Sequence, residues 1–254
     1  MTLEQFLAGS IFQFMVVFAR LGSAVMLLPG FGEVYVPPRI RLVFALLLSF
    51  ALMPMIADRV PAMPADLPRF VVMLGGEIGI GLFFGTIARL ILMSLQSAGM
   101  VVALQIGIAN ALSVDPTTAQ QGAVSGNFLL AVGLVLIFVT GLDHTTIRAL
   151  VGTYDVFIPG QLPPMEDIAN FIARTSAVSF ELGLQLAAPF LVYGIVFTVG
   201  LGLLARLMPT LQVFFIAMPL QILAGLGLLA VSVTSMMIWF LDAYERQMAP
   251  FLGG

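Results

Sequence analysis

The sequence predicts an all-α polytopic membrane protein, and three observations lead to that class. Hydrophobic residues make up 60% of the 254 residues and charged residues only 9%, whereas a soluble domain usually carries about 25% charged residues. The mean hydropathy is +1.10. The apolar residues form long runs without the alternation typical of strands, and in lipid only helices and closed barrels satisfy the backbone. We therefore expect helices throughout.

The apolar runs predict about six membrane spans, since a spanning helix needs roughly 20 mostly apolar residues. The runs are residues 6–28, 42–57, 70–114, 122–142, 182–205 and 207–241. Arg20 interrupts the first run, Glu77 and Arg89 lie in the third, and Pro209 and Pro219 interrupt the last.

The segments between the runs are predicted turns and loops. Residues 29–38 hold the Pro37-Pro38 pair, and residues 58–68 hold three prolines, which break helices by removing a donor. Residues 158–164 read as a proline-rich loop. Residues 143–155 have mixed polarity, and we expect the single histidine, His144, to lie in a loop there.

Residues 166–182 predict an amphipathic helix that continues into the run at 182–205. Apolar side chains recur at helical spacing on one face, and polar side chains favour the other face. Glu166 and Asp167 would lie in the first turn, where the helix dipole favours negative charge.

Charge and cysteine content exclude several classes of function. The net charge is only −3 and no basic stripe exists, so nucleic-acid binding is not indicated. The absence of cysteine excludes disulfides, thiolate catalysis and cysteine metal sites. An acidic residue, Glu4, stands where a signal peptide would carry positive charge, so we expect the first apolar run to stay in the mature protein.

Five ionisable residues lie in apolar runs, where charge is costly and often functional. They are Arg20, Glu77, Arg89, Glu181 and Arg206. One interpretation is that each marks a helix end or pairs with another helix or subunit. The other is a proton or ion relay, which usually needs several acids or histidines along one path, and the first is favoured. Glu77 and Arg89 would lie about 18 Å apart along one helix, too far to pair directly.

Paired small residues predict close helix packing. The segment Gly-Leu-Gly-Leu-Leu-Ala occurs at 200–205 and again at 225–230. It matches a dinucleotide-binding pattern only in letters, because that pattern needs a preceding strand. Close helix packing is also predicted at Gly75-x-x-x-Gly79 and Gly81-x-x-x-Gly85, since small residues let helix backbones approach. Whether these motifs pack within the chain or against partner subunits stays open.

No enzymatic motif is complete. With one histidine and no lysine, neither the H-E-x-x-H zinc motif nor the phosphate-binding loop can occur. Residues 122–126 only approximate G-x-S-x-G. We therefore predict a protein that is not an enzyme and binds no cofactor or metal.

The segment from Gln105 to Gln121 is the most unusual part of the chain. It begins apolar and then reaches Asn110, Ser113, Asp115 and Pro116 before a cluster of threonine and glutamine. One hypothesis is an ordinary loop outside the membrane. The other is a re-entrant or pore-lining loop, which is allowed at membrane depth only where protein or water surrounds it.

Three stretches in a fixed order resemble one family. They are residues 19–41 with the Met53-Pro54 pair, then Leu104-Gln105-Ile106-Gly107 with Val114-Asp115-Pro116, and last residues 205–226 with Pro209 and Pro219. In this order and spacing the chain resembles the FliR family, whose virulence relatives form the SctT group. The resemblance implies one export-gate domain over residues 1–254, folded as long kinked helical hairpins that pack into a helical assembly.

The resemblance also implies a function and a set of partners. The chain would be a subunit of the flagellar type III protein export gate, forming part of the pore wall and plug through which unfolded flagellar proteins cross. It would act as a single copy in a hetero-oligomer in the bacterial inner membrane, within the flagellar basal body. The implied partners are several FliP and FliQ subunits, FlhB, FlhA, export substrates and membrane lipid.

The resemblance assigns two groups of site residues. The pore plug, residues 106–122 by motif match, would include Ile106, Gly107, Ile108, Asn110, Leu112, Ser113, Asp115 and Pro116. Packing against other subunits would involve Arg20, Arg39, Arg41, Glu77, Arg89, Glu181, Arg206, Pro209, Pro219 and Gly225.

Three alternatives remain open. The chain could serve a virulence-type secretion gate. It could be a multi-pass secondary transporter, for which paired repeats are typical and the repeated Gly-Leu-Gly-Leu-Leu-Ala offers faint support. An intramembrane enzyme is the third, and the missing nucleophile and base argue against it.

Overall fold

The structure, a computed structural model, describes residues 3–108, 123–208 and 213–252. The seven α-helices over these residues are α1 (Leu3–Val25), α2 (Pro38–Ile56), α3 (Leu67–Gln105), α4 (Ala123–Val139), α5 (Leu142–Val156), α6 (Met165–Leu207) and α7 (Val213–Met248). Short 3₁₀ turns follow α2 at Ala57–Arg59 and α7 at Ala249–Phe251. The described residues contain no strand, so the predicted all-α class is confirmed.

The described residues contain fewer candidate membrane spans than the six apolar runs of the sequence. Within these residues, four helices are long and apolar enough to cross a bilayer, or five if α4 and α5 are counted as one broken span. The run at 122–142 gives only the 17-residue α4, because Gly141 takes a left-handed φ of 75° and starts α5. The first run forms α1, whose part from Gly9 to Val25 is an apolar helix.

Residues 143–155 form most of α5, so the prediction of a loop around His144 was wrong. The mixed polarity belongs to an amphipathic helix. One side of the helix is buried and includes Leu142, Ala149 and Leu150. His144 is largely exposed, and its ring Nδ1 lies 3.0 Å from Asp143 Oδ1. A short helix with few apolar residues gives a weak pattern in the sequence.

The chain forms two compact units, each assembled from separate stretches of sequence. The first unit comprises Met1–Leu90, Gly141–Ser176 and Tyr244–Gly254, and the second comprises Ile91–Thr140 and Ala177–Ala243. The single domain expected over residues 1–254 stays a prediction.

In the first unit, α1 and α2 form a helical hairpin. The two helices pack on each other, and the Gln13 side-chain amide donates to the carbonyl oxygen of Ala57 at 3.3 Å. Near the turn between them, the rings of Phe31 and Phe44 stack with centroids 4.4 Å apart. The predicted turn at 29–38 therefore closes this hairpin.

Two glycines let α1 and α3 touch through their backbones. A Cβ placed on Gly81 would lie 2.0 Å from Ser23 Oγ and 2.2 Å from the carbonyl oxygen of Arg20, and one on Gly85 would lie 2.8 Å from Leu27 Cβ. A Cβ on Gly75 or Gly79 would meet no described atom within 4 Å. Hence one of the two predicted small-residue motifs packs inside the chain and the other leaves its surface open.

Aromatic side chains join the end of the chain to the first unit. Phe251 packs edge-on against Phe84 at 5.4 Å and against Phe171 at 5.7 Å between ring centroids. The Tyr244 hydroxyl lies 3.0 Å from Thr146 Oγ1. These contacts hold α3, α5 and α6 to the end of α7 and to the 3₁₀ turn that follows it.

In the second unit, the last part of α3 is the central element. A Cβ on Gly99 would lie 2.4 Å from the Cα of Gly126 on α4, and a Cβ on Gly183 of α6 would lie 3.1 Å from the carbonyl oxygen of Ser94. Close approach through small residues is typical of membrane helices.

We predict opposite effects of alanine at two glycines of α3. Gly81→Ala forces a methyl group onto the backbone of α1, and such overpacking costs about 1–3 kcal/mol. Gly79→Ala is the matched control, because it meets open space and gains helix propensity of up to ~1 kcal/mol. The unfolding midpoint of the purified chain in detergent should fall for Gly81→Ala and not for Gly79→Ala. Equal midpoints for the two variants would contradict the packing.

Candidate functional site

The first polar site is a buried ion pair between α1 and α3. Arg20 Nε donates to Glu77 Oε2 at 2.7 Å, and the two side chains are 0% and 1% exposed. Glu77, Gly81 and Gly85 follow one another at four-residue spacing on one face of α3. The glycines bring α1 close enough for Arg20 to reach the carboxylate.

Arg20 also caps the C-terminal end of α5. Its Nη1 donates to the carbonyl oxygen of Thr153 and its Nη2 to that of Phe157, both at 3.0 Å. The last carbonyls of a helix lack partners within the helix, and the negative end of the dipole favours a cation there. The guanidinium carbon lies 3.9 Å from the ring centroid of Tyr154.

Glu77 extends the network to the loop after α5. The backbone amide of Gly160, whose φ is +84°, donates to Glu77 Oε1 at 3.3 Å. The Arg20 clamp, defined as Arg20, Glu77, Thr153, Phe157 and Gly160, therefore joins three helices and one loop. Such pairing with another helix was one of the two interpretations drawn from the sequence.

The clamp has the properties of a structural site rather than a relay. No second carboxylate or histidine hydrogen-bonds to Arg20 or Glu77 among the residues that the structure describes. Both side chains face the interior of the first unit. They are therefore not available to contact another subunit directly.

The second polar site holds the end of α3 in the second unit. α3 ends at Gln105, and Gly107 follows with a φ of +80°. Gln221 of α7 donates through its side-chain amide to the carbonyl oxygen of Gln105 at 2.9 Å. The Tyr193 hydroxyl of α6 in turn donates to the carbonyl oxygen of Gln221 at 2.6 Å.

Glycines allow α6 and α7 to come close to the same turn. A Cβ on Gly225 would lie 2.3 Å from Ile106 Cγ2, and one on Gly194 would lie 1.8 Å from Gln105 Oε1. Ile106 is completely buried. The α3 turn, residues 105–107, is thus fixed by hydrogen bonds and by packing on both neighbouring helices.

The structure describes only the beginning of the predicted plug. Ile106 and Gly107 belong to the α3 turn and Ile108 follows it. Asn110, Leu112, Ser113, Asp115 and Pro116 lie outside the described residues, as does Pro209. Sequence reasoning missed Tyr193, Gly194 and Gln221, although an amide side chain two residues after Pro219 in a charge-free run is a detectable signal.

The remaining predicted packing residues are scattered. Arg39 and Arg206 are exposed, and Glu181 accepts a hydrogen bond from Gln185 Nε2 at 2.9 Å. Arg41 donates to the carbonyl oxygen of Glu33 and Arg89 to that of Gly32, the latter at 3.5 Å. Pro219 lies within α7. The structure brings Arg20 and Glu77 together but does not join these residues into one site.

Gly225 resolves one question that the sequence left open. It packs against Ile106, whereas Cβ atoms on Gly200, Gly202 and Gly227 would meet no described atom within 4 Å. The two copies of Gly-Leu-Gly-Leu-Leu-Ala therefore differ, because among the described residues a glycine of the second copy packs against Ile106 and the glycines of the first copy contact nothing.

Much of the apolar helix surface is uncovered. In α2, α6 and α7, only 17–22% of the most apolar stretch is buried, against 61% in α3. On α6 the exposed side chains include Val192, Ile195, Val196, Val199 and Leu203. No group of His, Asp or Glu that could hold a metal occurs in the described part of the chain. What these helices offer to their surroundings is an apolar surface.

Comparison with known proteins decides the family. The family described as "Bacterial export proteins, family 1" matches residues 11–247. The chain belongs to this family.

The relatives of this export protein include flagellar biosynthetic proteins and a translocation protein. It is 39% identical to the flagellar biosynthetic protein FliR of Caulobacter vibrioides, over 91% of this chain and 92% of that protein. It is 28% identical to FliR of Bacillus subtilis, over 86% and 85%. It is 28% identical to the Yop proteins translocation protein T of Yersinia pestis, over 68% and 67%.

The predicted resemblance to the FliR family is thus confirmed. This export protein is a subunit of the flagellar type III protein export gate. It is a multi-pass membrane protein of the flagellar export apparatus.

We predict that the Arg20 clamp carries much of the stability of the first unit. Arg20→Met leaves the Glu77 carboxylate buried without its cation, and breaking a buried pair costs about 3–5 kcal/mol. Arg59→Met is the matched control, because the Arg59–Asp155 pair is exposed by 43% and 55% and such pairs contribute about 0–1 kcal/mol. Unfolding of the purified chain in detergent measures both. A loss for Arg20→Met no larger than that for Arg59→Met would refute the assignment.

We predict that Gly225 protects the α3 turn. The amides of Ile106 and Gly107 donate to the carbonyl oxygens of Val102 and Leu104 at 3.0 and 3.2 Å. In Gly225→Ala the new methyl group displaces Ile106, and these amides should exchange with deuterium about tenfold faster, which corresponds to ~1.4 kcal/mol. Gly227→Ala, which meets open space, should leave exchange unchanged, and a similar acceleration in both variants would count against this packing.

Proposed function

We propose that the chain is the single-copy subunit that completes the pore wall of the export gate and contributes its plug. In this proposal it lies in the bacterial inner membrane, within the flagellar basal body, and assembles with several FliP and FliQ subunits. FlhB and FlhA complete the apparatus. Unfolded flagellar proteins pass through the assembled gate, and lipid surrounds the surface that subunits leave free.

The exposed apolar surface is the single observation that carries this proposal. Only 17–22% of the most apolar stretch is buried in three of the long helices, and exposed apolar patches of large size mark interaction or membrane surfaces. α6, at 43 residues, would be about 65 Å long, twice the roughly 30 Å hydrocarbon thickness of a bilayer. A helix of that length needs protein neighbours as well as lipid.

The chemistry of the described side chains supports a passive, non-enzymatic role. The most deeply buried charges, Arg20 and Glu77, are satisfied by each other and by backbone groups. A secondary transporter would instead be expected to aim polar groups at a midplane site between broken helices. Pairing within the first unit leaves Arg20 and Glu77 unsuited to that task.

We assign the plug to residues 106–122 on the family motif. The α3 turn supports this assignment, because a plug needs a fixed point of attachment. Gln221 and Gly225 hold that turn at residues 105–107, where the segment begins. The proposed plug would then start where the 39-residue α3 ends.

The exposed residues of the predicted packing set are proposed to meet neighbouring subunits. They are Arg39, Arg206, Glu181 of α6 and Pro219 of α7. Pro209, which lies outside the described residues, is proposed to contribute to the same packing on the family motif. Arg41 and Arg89 are half-buried at the turn after α1. Gly225, Arg20 and Glu77 pack within the chain instead.

Purification in mild detergent tests the proposed assembly. The tagged full chain should recover two other small membrane proteins, FliP-like and FliQ-like, in excess over the tagged subunit. The transporter alternative would be established if the chain were recovered without these proteins, alone or as a homo-oligomer, and transported a small solute in that state.

Deletion of residues 110–116 tests the plug. We expect reconstituted complexes with the deletion to conduct ions in the resting state, because the barrier across the pore is removed. The matched control is a complex carrying Gln161→Ala, a change in the loop after α5, which should stay closed. If the deletion complex conducts no more than the wild type, the plug lies elsewhere.

A further inference from the structure

Two arginines from different helices meet at the turn after α1. Arg41, in the first turn of α2, donates through Nη2 to the carbonyl oxygen of Glu33. Arg89 of α3 donates through Nη1 to the carbonyl oxygen of Gly32 in a long hydrogen bond of 3.5 Å. The two acceptors belong to consecutive residues, whose Cα atoms are about 3.8 Å apart. Both guanidinium groups therefore lie at one place in the first unit.

The turn offers these arginines little beyond those two bonds. The carbonyl oxygen of Glu33 also accepts a hydrogen bond from the amide of Val36 at 3.0 Å, so both of its lone pairs are engaged. A Cβ on Gly32 would lie 2.5 Å from the carbonyl oxygen of Met26. The backbone is thus tightly folded at this point and presents few acceptors to a guanidinium.

The two guanidinium groups carry more donors than the described residues satisfy. Each guanidinium has five N–H groups, and each has one acceptor among the residues that the structure describes. Arg41 Nε is buried and has no acceptor there. The Glu33 carboxylate forms no ion pair with either arginine in that part of the chain. Like charges held side by side repel each other, so this pair of cations requires an anion.

The Arg20 clamp shows how a guanidinium with a purely structural role is held in this chain. Arg20 is 0% exposed, has a carboxylate at 2.7 Å and donates to two carbonyl oxygens at 3.0 Å. Arg41 and Arg89 are only half-buried and have no carboxylate. Part of each of these side chains can therefore be reached from outside the chain.

The start of α2 adds to the positive field at the turn. The first turn of α2 contains no acidic residue, and no side chain caps its N-terminus. Arg39 in the same turn is exposed and has no hydrogen bond or ion pair to any described residue. The N-terminus of a helix favours negative charge, and oxyanions bind there. The helix end thus acts in the same direction as the arginines.

The place of the turn along α2 indicates the source of the anion. α2 and the turn after it form a candidate span of 22 residues, Pro38–Arg59. That length is about 33 Å and matches the roughly 30 Å hydrocarbon thickness of a bilayer. The start of such a span lies at the level of the phosphates of the lipid headgroups. Basic pockets between membrane helices bind headgroups of this kind.

We propose that Arg41 and Arg89 bind the phosphate of an anionic phospholipid at the turn after α1. A phosphate carries several charged oxygens, so one group accepts hydrogen bonds from both guanidinium forks at once. The acyl chains lie along the exposed apolar side of α2, of which only 17% of the most apolar stretch is buried within the chain. This inference goes beyond the proposed function, because the site needs no other subunit of the gate.

Native mass spectrometry of the purified full chain in detergent tests the ligand. The chain is titrated with phosphatidylglycerol, with diacylglycerol of the same acyl chains, and with inorganic phosphate. We expect phosphatidylglycerol to bind at least about tenfold more tightly than either of the others, since charged hydrogen bonds and apolar contacts then act together. Equal binding of diacylglycerol would show that acyl chains alone suffice. Displacement of the lipid by an equal concentration of inorganic phosphate would identify a site for free phosphate. Either result would overturn the proposal.

Arginine substitutions test the location of the site. Arg41→Gln and Arg89→Gln each remove a charged fork, so the affinity for phosphatidylglycerol should fall by roughly tenfold, whereas the affinity for diacylglycerol should not change. Arg59→Gln is the matched control, because it removes an exposed arginine at the opposite end of the same span, where Asp155 already pairs with it. Wild-type affinity in Arg41→Gln and Arg89→Gln, or an equal loss in Arg59→Gln, would refute the assignment.

Glu33→Gln tests the site without altering either arginine, and so remains informative if the arginine variants do not fold. Removing the carboxylate of the turn removes its repulsion of a bound phosphate, so the affinity for phosphatidylglycerol should rise by roughly threefold or more. An unchanged or lower affinity would contradict the placement of the phosphate at this turn.

The assembled gate decides between lipid and protein as the source of the anion. Complexes purified from native membranes should carry a phospholipid that is lost when Arg41→Gln and Arg89→Gln are combined. If the wild-type complex carries no lipid that this double variant lacks, the proposal fails, because the arginines would then meet a carboxylate of a neighbouring chain.

Discussion

The Arg20 clamp is the interaction on which the first unit depends. A guanidinium without water must donate its hydrogen bonds to acceptors of the protein, because an unpaired buried charge is very costly. Arg20 satisfies this demand with one carboxylate and the carbonyls that end α5. The requirement fixes the position of α1 against α3 and α5 at once. It also explains the glycines of α3, which remove the side chains that would hold α1 away from Glu77.

The pairing of the buried charges leaves an apolar surface on the other helices. The Arg20 cation and the Glu77 anion hold helices together, and the exposed surface of α2, α6 and α7 is largely apolar. Family membership identifies the chain that presents this surface as a subunit of the flagellar export gate.

The long helix α3 belongs to both units, and its packing differs between them. Its first part is anchored to α1 by the clamp and by Gly81 and Gly85, and its last part is enclosed by small-residue contacts with α4 and α6. α3 is accordingly the most buried of the long apolar helices. The α3 turn ends this helix at a position held by the hydrogen bond from the Gln221 side-chain amide to the carbonyl oxygen of Gln105.

Composition and apolar run length determined the all-α membrane class, the hairpin turn at 29–38 and the long amphipathic helix from 166 onwards, because these depend on local pattern and on the cost of exposing the backbone to lipid. The ordered motifs determined the family. The tertiary structure alone decided that Arg20 pairs with Glu77. It also decided that Gly81 and Gly225 pack inside the chain while Gly79 and Gly227 face outward. Finally, it showed that residues 142–156 form a helix with one buried face. Pairing across 57 residues of sequence, and the choice between two glycines of one motif, depend on how helices cross in space. A periodic apolar pattern carries no information on that crossing when nearly every face of a helix is apolar.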